Sequence, residues 1–138
     1  MTIALSLDQS RVGAALARAR TGLSRLGPVE ARGAQEAGAL LVDTRTDSQR
    51  ECQGDLPGVV VIDRTVLEWR LDPTSEHCIP EARARPSVIV ICRQGYSSSF
   101  AAADLRRLGV DATDVIDGVE GWIRAGLPLF DGRPDVRG

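Results

Sequence analysis

A chain of 138 residues, 43% apolar and 26% charged, has the size and composition of one globular domain that buries its own core. A net charge of −2 excludes a generally basic surface for nucleic acid or anionic membrane, and no apolar run approaches the ~18 residues of a membrane span. Three cysteines without a CxxC pair, and a single histidine, exclude a disulfide scaffold and a multi-histidine metal centre, so neither metal nor organic cofactor is expected.

Every one of the 17 basic residues is arginine, which favours fixed charge and bidentate anion contacts, although genome base composition is the simpler cause. The opening MTIALSLDQSR lacks the basic stretch of a signal peptide, and a reducing cytosol is the expected compartment.

Ser6-Leu7-Asp8-Gln9 has capping-box form. Val12, Leu16, Ala19 and Leu23 then recur at helical spacing with Arg11, Arg18 and Arg25 in the intervals, predicting an amphipathic helix on the domain's flank. Pro28 suits the first turn of a second helix and Gly38 its end. Leu40 to Val42 reads as a strand ending on Asp43, and Thr46-Asp47-Ser48-Gln49 as the cap of a helix reaching Gln53. Gly54 to Gly58 is turn chemistry, in which Asp55 serves the fold.

Val59 to Ile62 is apolar without alternation, as expected of a strand covered on both faces. Thr65-Val66-Leu67-Glu68 repeats the capping form, opening a helix stopped by Asp72-Pro73, and a polar loop runs on to Ser87. A strand from Val88 to Ile91 precedes a helix lined by Ala101, Leu105 and Leu108 and closed by Gly109. Asp114 to Ile116 is the last strand, followed by a short helix carrying Trp122 and by a tail, residues 131–138, expected to fray.

The alternation predicts an α/β fold: a three-layer domain whose central, mostly parallel sheet of about five strands carries helices on both faces. Residues 1–37 form an amino-terminal helical extension packed on the domain, and 38–130 the domain itself. Ligands of such sheets bind at the carboxyl ends of strands, where Asp43 and Cys92 fall, as does the segment after Ile62 containing Arg64.

The segment SVIVICRQGYSSSFAAADLRRLG carries the chemistry. It places a thiol at the end of a buried strand, facing the amino terminus of the next helix, whose unpaired amides and partial positive charge favour thiolates and other anions. From Ser87 to Ala103 there is no Asp or Glu, and Arg93 adjoins Cys92. Gly95 permits the tight curl that a ring of amides aimed at one point requires, and Ser97 and Ser98 add hydroxyls able to cap the helix.

Four segments, ALLVDTR, GDLPGVVVI, VIVICRQGYSSS and VIDGVEGWIRAGLPL, follow one another across Gly38 to Leu129 in the order found in rhodanese-like sulfurtransferases, a family the chain resembles. The extra amino-terminal helix and the LEWRLDP run at Leu67 to Pro73 resemble a single-domain bacterial subgroup. CRQGYS is similar to the Cys-Arg-x-Gly-x-Ser/Thr loop of thiosulfate-using members. The resemblance implies that Cys92 takes a sulfane sulfur from a small anionic donor, becomes a persulfide, and passes the sulfur to cyanide, a small thiol or a protein thiol. The amides from Arg93 to Ser98 would cradle the charge.

Arg93 is either a contact for the donor anion or a solvated loop residue. Gln94 stands where thiosulfate-using relatives often carry lysine, and Tyr96 lines the pocket entrance or shields it. Asp43 and Arg45 match the family's Asp-x-Arg element and read as an ion pair or loop clamp. Arg64 and Arg70 could add positive field at the mouth. Asp55 departs from the family's usual histidine. Trp69 and Trp122 read as packing residues, Cys52 as a small hydrophobe, and Cys78 as a resolving thiol only if geometry brings it to Cys92.

Three alternatives stand beside sulfur transfer. A phosphatase or arsenate reductase of related fold needs an arginine six residues after the cysteine, where this chain has Ser98. A Cys-His hydrolase has only His77 for its base. A regulatory or protein-interaction module of this family usually lacks the cysteine, and Cys92 is retained.

Overall fold

The computed structural model describes residues 9–138. Helix α1 (Arg11–Thr21) starts at Ser10, whose hydroxyl accepts from the Gly13 amide at 3.0 Å; the box expected at Ser6–Gln9 lies, except for Gln9, outside the described residues. Leu16 and Ala19 are partly buried, as is Leu23 beyond the helix, but Val12 stands 65% exposed, so the apolar stripe begins one turn later than its spacing predicts. Helix α2 (Pro28–Glu36) has Pro28 in its first turn, where the missing N–H costs nothing, and Glu30 reaches back to the Gly27 amide at 3.0 Å.

Strand β1 (Leu40–Asp43) leads to α3 (Asp47–Gln53), held by the reciprocal Thr46–Gln49 box. After β2 (Val60–Val61), a 3-10 turn at Arg64–Val66 opens α4 (Leu67–Leu71). The cap there is Asp63, which accepts from both the amide and the hydroxyl of Thr65, so Thr65 does not start the helix as its spacing suggests. A 3-10 segment at Pro80–Ala84 lies inside the expected polar loop and buries Ile79 and Ala82. The chain continues through β3 (Val88–Ile91), α5 (Ser97–Arg107), β4 (Ala112–Asp114), α6 (Gly118–Arg124) and β5 (Asp135–Val136).

All five strands are parallel, in the order β4-β3-β1-β2-β5. Period-two geometry sends alternate side chains to opposite faces, and both faces are covered. Val42, Val60, Val88, Val90 and Ala112 pack with Leu67, Leu71, Ala101 and Leu105 under α4 and α5. Leu41, Val61, Ile89 and Ile91 pack with Ala31, Val119 and Trp122 under α2 and α6. Continuous apolar strands are thus two interleaved half-cores. Helix α1 lies outside this sandwich, against α5. Among the described residues no helix is long and apolar enough to cross a membrane.

Four further features depart from the sequence reading. Strand β4 occupies Ala112–Asp114, two residues before the expected run, because its register follows β3 from Val88↔Ala112 to Val90↔Asp114. Leu108 and Trp69 are exposed, whereas Trp122 is fully buried and donates its indole N–H to the Pro128 carbonyl at 2.9 Å. Cys52 is exposed on α3. The tail expected to fray adds β5 to the sheet edge, where Arg137 binds Glu81 at 2.6 Å and Asp135 at 2.7 Å.

Hydrogen bonds from Arg137 hold the Glu81 and Asp135 carboxyls below their usual range, and the same bonds raise the guanidinium. A carboxylate lowered on folding stabilises the fold above its unfolded pKa of about 4 and loses that contribution as pH falls through its lower folded value. Exposed pairs of this kind are worth about 0.2–1 kcal/mol each, enough to seat a two-residue strand but not to govern global stability. Hydrogen exchange over residues 133–138, corrected for intrinsic rates, should show β5 protected at pH 7 and released below about pH 3. In Arg137→Gln it should be released at both; equal protection at the two pH values in the wild type contradicts this.

Candidate active site

Strands β1 and β3 pair in register Asp43↔Ile91, so the next residues, Thr44 and Cys92, leave the sheet side by side at its carboxyl edge. The Thr44 amide donates to the Ile91 carbonyl at 3.0 Å. Cys92 is 5% exposed, and the chain then curls back over its sulfur. Gly95, at φ +87°, donates its N–H to Cys92 Sγ at 3.2 Å, and Ser98, in the first turn of α5, donates at 3.4 Å. Arg93, Gln94, Tyr96 and Ser97 are exposed while Gly95 and Ser98 are buried, so the side chains face outward and the backbone inward. Helix α5 has no acid of its own in its first turn and Arg106 and Arg107 in its last, so its own side chains do not oppose the positive end at the sulfur.

The serines do not cap the helix. Ser98 and Ser99 turn their hydroxyls to Asp114 Oδ2 on β4, at 2.7 and 2.8 Å. Asp114 is fully buried, and its charge is matched by Arg25, with Nε 2.8 Å from Oδ1 and Nη2 3.2 Å from Oδ2. Arg25 Nη2 also donates to the Gly95 carbonyl at 3.0 Å, and Arg20 Nη2 donates to the same oxygen at 2.7 Å. Arg20 Nε reaches Ser99 Oγ at 3.0 Å, and its guanidinium lies 5.9 Å from the centre of the Tyr96 ring. Burial, then the neighbouring Arg25, pushes the Arg20 guanidinium below its ordinary value, with Asp114 opposing. Sequence reasoning missed Arg20, Arg25 and Asp114. Their signal was an acid at the end of an apolar strand beside a helix opening on consecutive serines.

Helix α6 closes the back of the loop. Its first amides donate to loop carbonyls, Val119 to Cys92 at 2.9 Å and Glu120 to Arg93 at 3.1 Å. The approach is possible only because two glycines meet. A Cβ on Gly118, at φ +55°, would lie 2.3 Å from the Cys92 carbonyl oxygen, and one on Gly95 would lie 2.8 Å from the Asp117 nitrogen. The fold also brings acids that the local window lacked. Glu120 accepts from Gln94 Nε2 at 3.3 Å, and both Asp117 and Glu120 pair with Arg124.

Above the sulfur is an open hollow of about 190 Å³ lined by Thr44, Gln49, Cys92, Arg93, Gln94, Tyr96 and Ser97. Thr44 and Gln49 were also missed; the β1 register and the capped start of α3 put them there. Asp43 and Arg45 do not line it. They form a buried pair beneath, with Arg45 Nη2 to Asp43 Oδ2 at 2.7 Å and the Arg45 amide to Oδ1 at 3.0 Å, a clamp on the chain leaving β1.

Arg64 is bound to Glu68 and Asp104, at 2.8 and 2.7 Å, and adds no free charge to the mouth. Arg70 donates to the His77 carbonyl and His77 is exposed, so neither serves Cys92. Asp55 pairs with Arg50 and bridges to Phe130, a turn element. Cys78 is buried, its Sγ facing the Pro73 carbonyl.

A parallel α/β domain that wraps loop amides around one cysteine at a strand end defines a class built to stabilise negative charge on sulfur or on an anion bound to it. The rhodanese-like domain profile matches residues 28–125, and the chain belongs to that family. The Arabidopsis thaliana adenylyltransferase and sulfurtransferase MOCS3 is 36% identical over 84 residues, 54% of this chain; the match spans only 18% of that relative's length. Solved structures share the fold, among them the following two. A Rhodopseudomonas palustris CGA009 protein of unknown function, a possible tyrosine phosphatase, superposes with a TM-score of 0.79 at 24% identity, covering 89% of this chain and 96% of its own. The human single-domain sulfurtransferase TSTD1 superposes at 0.58 and 22% identity, covering 75% and 97%.

Gly118→Ala should lower stability by about 2 kcal/mol or more, because it forces a β-carbon into a main-chain oxygen at positive φ. Denaturation midpoint and Cys92 alkylation rate should fall together; a variant with wild-type values for both would show that the loop does not depend on this contact. Arg45→Ala should cost about 3–5 kcal/mol by leaving Asp43 charged and buried, a loss that urea denaturation would detect.

Proposed function

We propose that this chain is a sulfurtransferase working by double displacement through a Cys92 persulfide. The observation that carries the reading is the pair of main-chain N–H groups, from Gly95 and Ser98, on the Cys92 sulfur at the floor of an open hollow. Main-chain dipoles fixed in advance favour the anionic form of a group without reorganising during reaction.

In the first half-reaction the Cys92 thiolate attacks the outer, sulfane sulfur of a donor such as thiosulfate. A new S–S bond forms, the donor's own S–S bond breaks, and sulfite departs with the electron pair. In the second, cyanide or a thiolate attacks the terminal sulfur of the persulfide, and Cys92 leaves as thiolate. No proton need move at either carbon or sulfur, which agrees with a hollow lined by no histidine or carboxylate. Arg93 at the rim supplies the cation for an anionic donor, and Gln94 beside it supplies none. The open hollow leaves room for a small thiol or for a protein thiol carried on another chain. The cytosol is the proposed compartment, since an oxidising one would compete for the sulfur.

The phosphatase reading, which the Rhodopseudomonas palustris neighbour brings up again, is disfavoured by the residue six after Cys92. Ser98 is buried and hydrogen-bonded to a carboxylate, and Arg20 and Arg25 point at the Gly95 carbonyl rather than into the hollow. Aryl phosphate hydrolysis should be undetectable beside sulfur transfer.

Intact-mass measurement after thiosulfate treatment should show a gain of about 32 Da, one sulfur atom, removed by cyanide or dithiothreitol; a sulfinic acid of similar mass would resist both. Cys92→Ser should abolish the gain and Cys78→Ser should leave it. Loss of the adduct in Cys78→Ser would overturn the assignment of one working thiol. Arg93→Ala should raise the thiosulfate concentration for half-maximal loading about tenfold, as expected for a lost charge-assisted contact; an unchanged value would remove Arg93 from donor binding.

A further inference from the structure

The rhodanese-like match begins at residue 28, yet two side chains preceding it reach into the cysteine loop. Arg20 and Arg25 both donate to one carbonyl, that of Gly95, across 75 and 70 residues of sequence. This carbonyl belongs to the peptide joining Gly95 to Tyr96. In a trans peptide C=O and N–H point in opposite directions, so an oxygen drawn outward turns the Tyr96 N–H inward. The Gly95 N–H is already on the sulfur. Fixing the next peptide plane therefore sets which way the middle of the loop faces.

Asp114 completes the arrangement. Fully buried, it orients Arg25 through both oxygens and accepts from the hydroxyls of Ser98 and Ser99 in the first turn of α5. Arg20 closes the circuit by donating to Ser99 Oγ. The network thus grips the loop at Gly95 and the helix terminus at Ser98 and Ser99, on either side of the exposed Tyr96–Ser97 pair.

We propose that Arg20 and Arg25, anchored by Asp114, are positioning residues that hold the Gly95 peptide turned so that the loop amides face the Cys92 sulfur, making the amino-terminal helix part of the active site rather than an accessory. Its consequence for turnover rests on the sulfurtransferase reading; its consequence for the reactivity of Cys92 does not. The charged and titratable groups around the loop are Arg93 and Tyr96 within it, Arg20 and Arg25 from the amino-terminal segment, Asp43 and Arg45 below, Asp114 on β4, and Asp117 and Glu120 on α6. Arg20 and Arg25 do not line the hollow, so they act on the rate of the chemical step rather than on donor capture.

Two rates are to be measured at pH 7 for Arg20→Gln, Arg20→Lys and the control Arg18→Gln, which changes an exposed arginine on the same helix. One is thiosulfate-dependent gain of sulfur by intact mass; the other is carbamidomethylation of Cys92 by iodoacetamide, read on its peptide. Arg20→Gln should lower the maximal loading rate about tenfold while the half-saturating thiosulfate concentration moves less than about twofold, and should slow Cys92 alkylation several-fold. Arg20→Lys, which can still donate to the Gly95 carbonyl, should recover most of both, and Arg18→Gln should match the wild type.

The charge-balanced double variant Arg25→Gln/Asp114→Asn avoids burying a lone carboxylate and should show the same loss of rate. Wild-type rates in Arg20→Gln overturn the proposal. So does a loss that tracks a lowered melting temperature and is not recovered by lysine, since Arg20 would then only seat the helix. A wild-type protein that gains no sulfur, yet shows the alkylation pattern above, would refute the sulfurtransferase reading and leave the positioning role standing.

Discussion

A loop that turns its N–H groups inward must turn its carbonyls outward, and each of those oxygens then needs a donor of its own. That constraint organises the structure around Cys92. The Cys92 and Arg93 carbonyls are met by the Val119 and Glu120 amides at the start of α6, and the Gly95 carbonyl by Arg20 and Arg25. The positive ends of two helices and two guanidiniums thus converge on one short loop, α5 from the sulfur side and α6 from behind. Glycine at 95 and 118 is what lets the two backbones approach. The negative charge that balances this concentration of positive ends is placed at Asp114, buried and fully engaged, rather than in the hollow where it would oppose an anionic sulfur.

The same logic separates the two carboxylate–arginine pairs of the site. Asp43 and Arg45 lie two residues apart and clamp the chain where it leaves β1. They leave the sulfur alone and place Thr44 and the start of α3 at the rim of the hollow. Asp114 and Arg25 lie 89 residues apart and tie the amino-terminal segment to the loop itself. One pair shapes the opening, the other orients the groups that line its floor.

Much of the fold was legible because its signals are local. Strand runs such as Val88–Ile91 are short, β-branched and bounded by turns, and the Thr46–Gln49 box closes within four residues. Errors arose where tertiary contacts outweigh the local pattern. Strand β4 follows the register of β3 rather than its own hydrophobic run, and β5 pairs with β2 beside a contact of Arg137 with Glu81 across 56 residues. The position of Val12 on the apolar stripe of α1 is correct as spacing, but its exposure depends on where α5 lies beside it. In the site, Cys92, Gly95 and Ser98 were readable from one window, since the loop is built from consecutive residues. Arg20, Arg25 and Asp114 were not, because nothing within their own windows marks which distant carbonyl or hydroxyl they meet. Arg64 erred the other way: its place after β2 suggested the mouth, and its two carboxylate partners neutralise it.

Whether main-chain N–H groups hold a transferred sulfur as an anion on Cys92 can be seen in a crystal structure of the thiosulfate-treated protein. One additional sulfur atom is expected, bonded to Cys92 Sγ and lying within the curl of residues 93–98 at hydrogen-bond distance from its amides, with the Gly95 carbonyl still turned toward Arg20 and Arg25. Additional sulfur projecting into solvent away from the amides, or an unmodified Cys92 beside a modified Cys52 or Cys78, would contradict it.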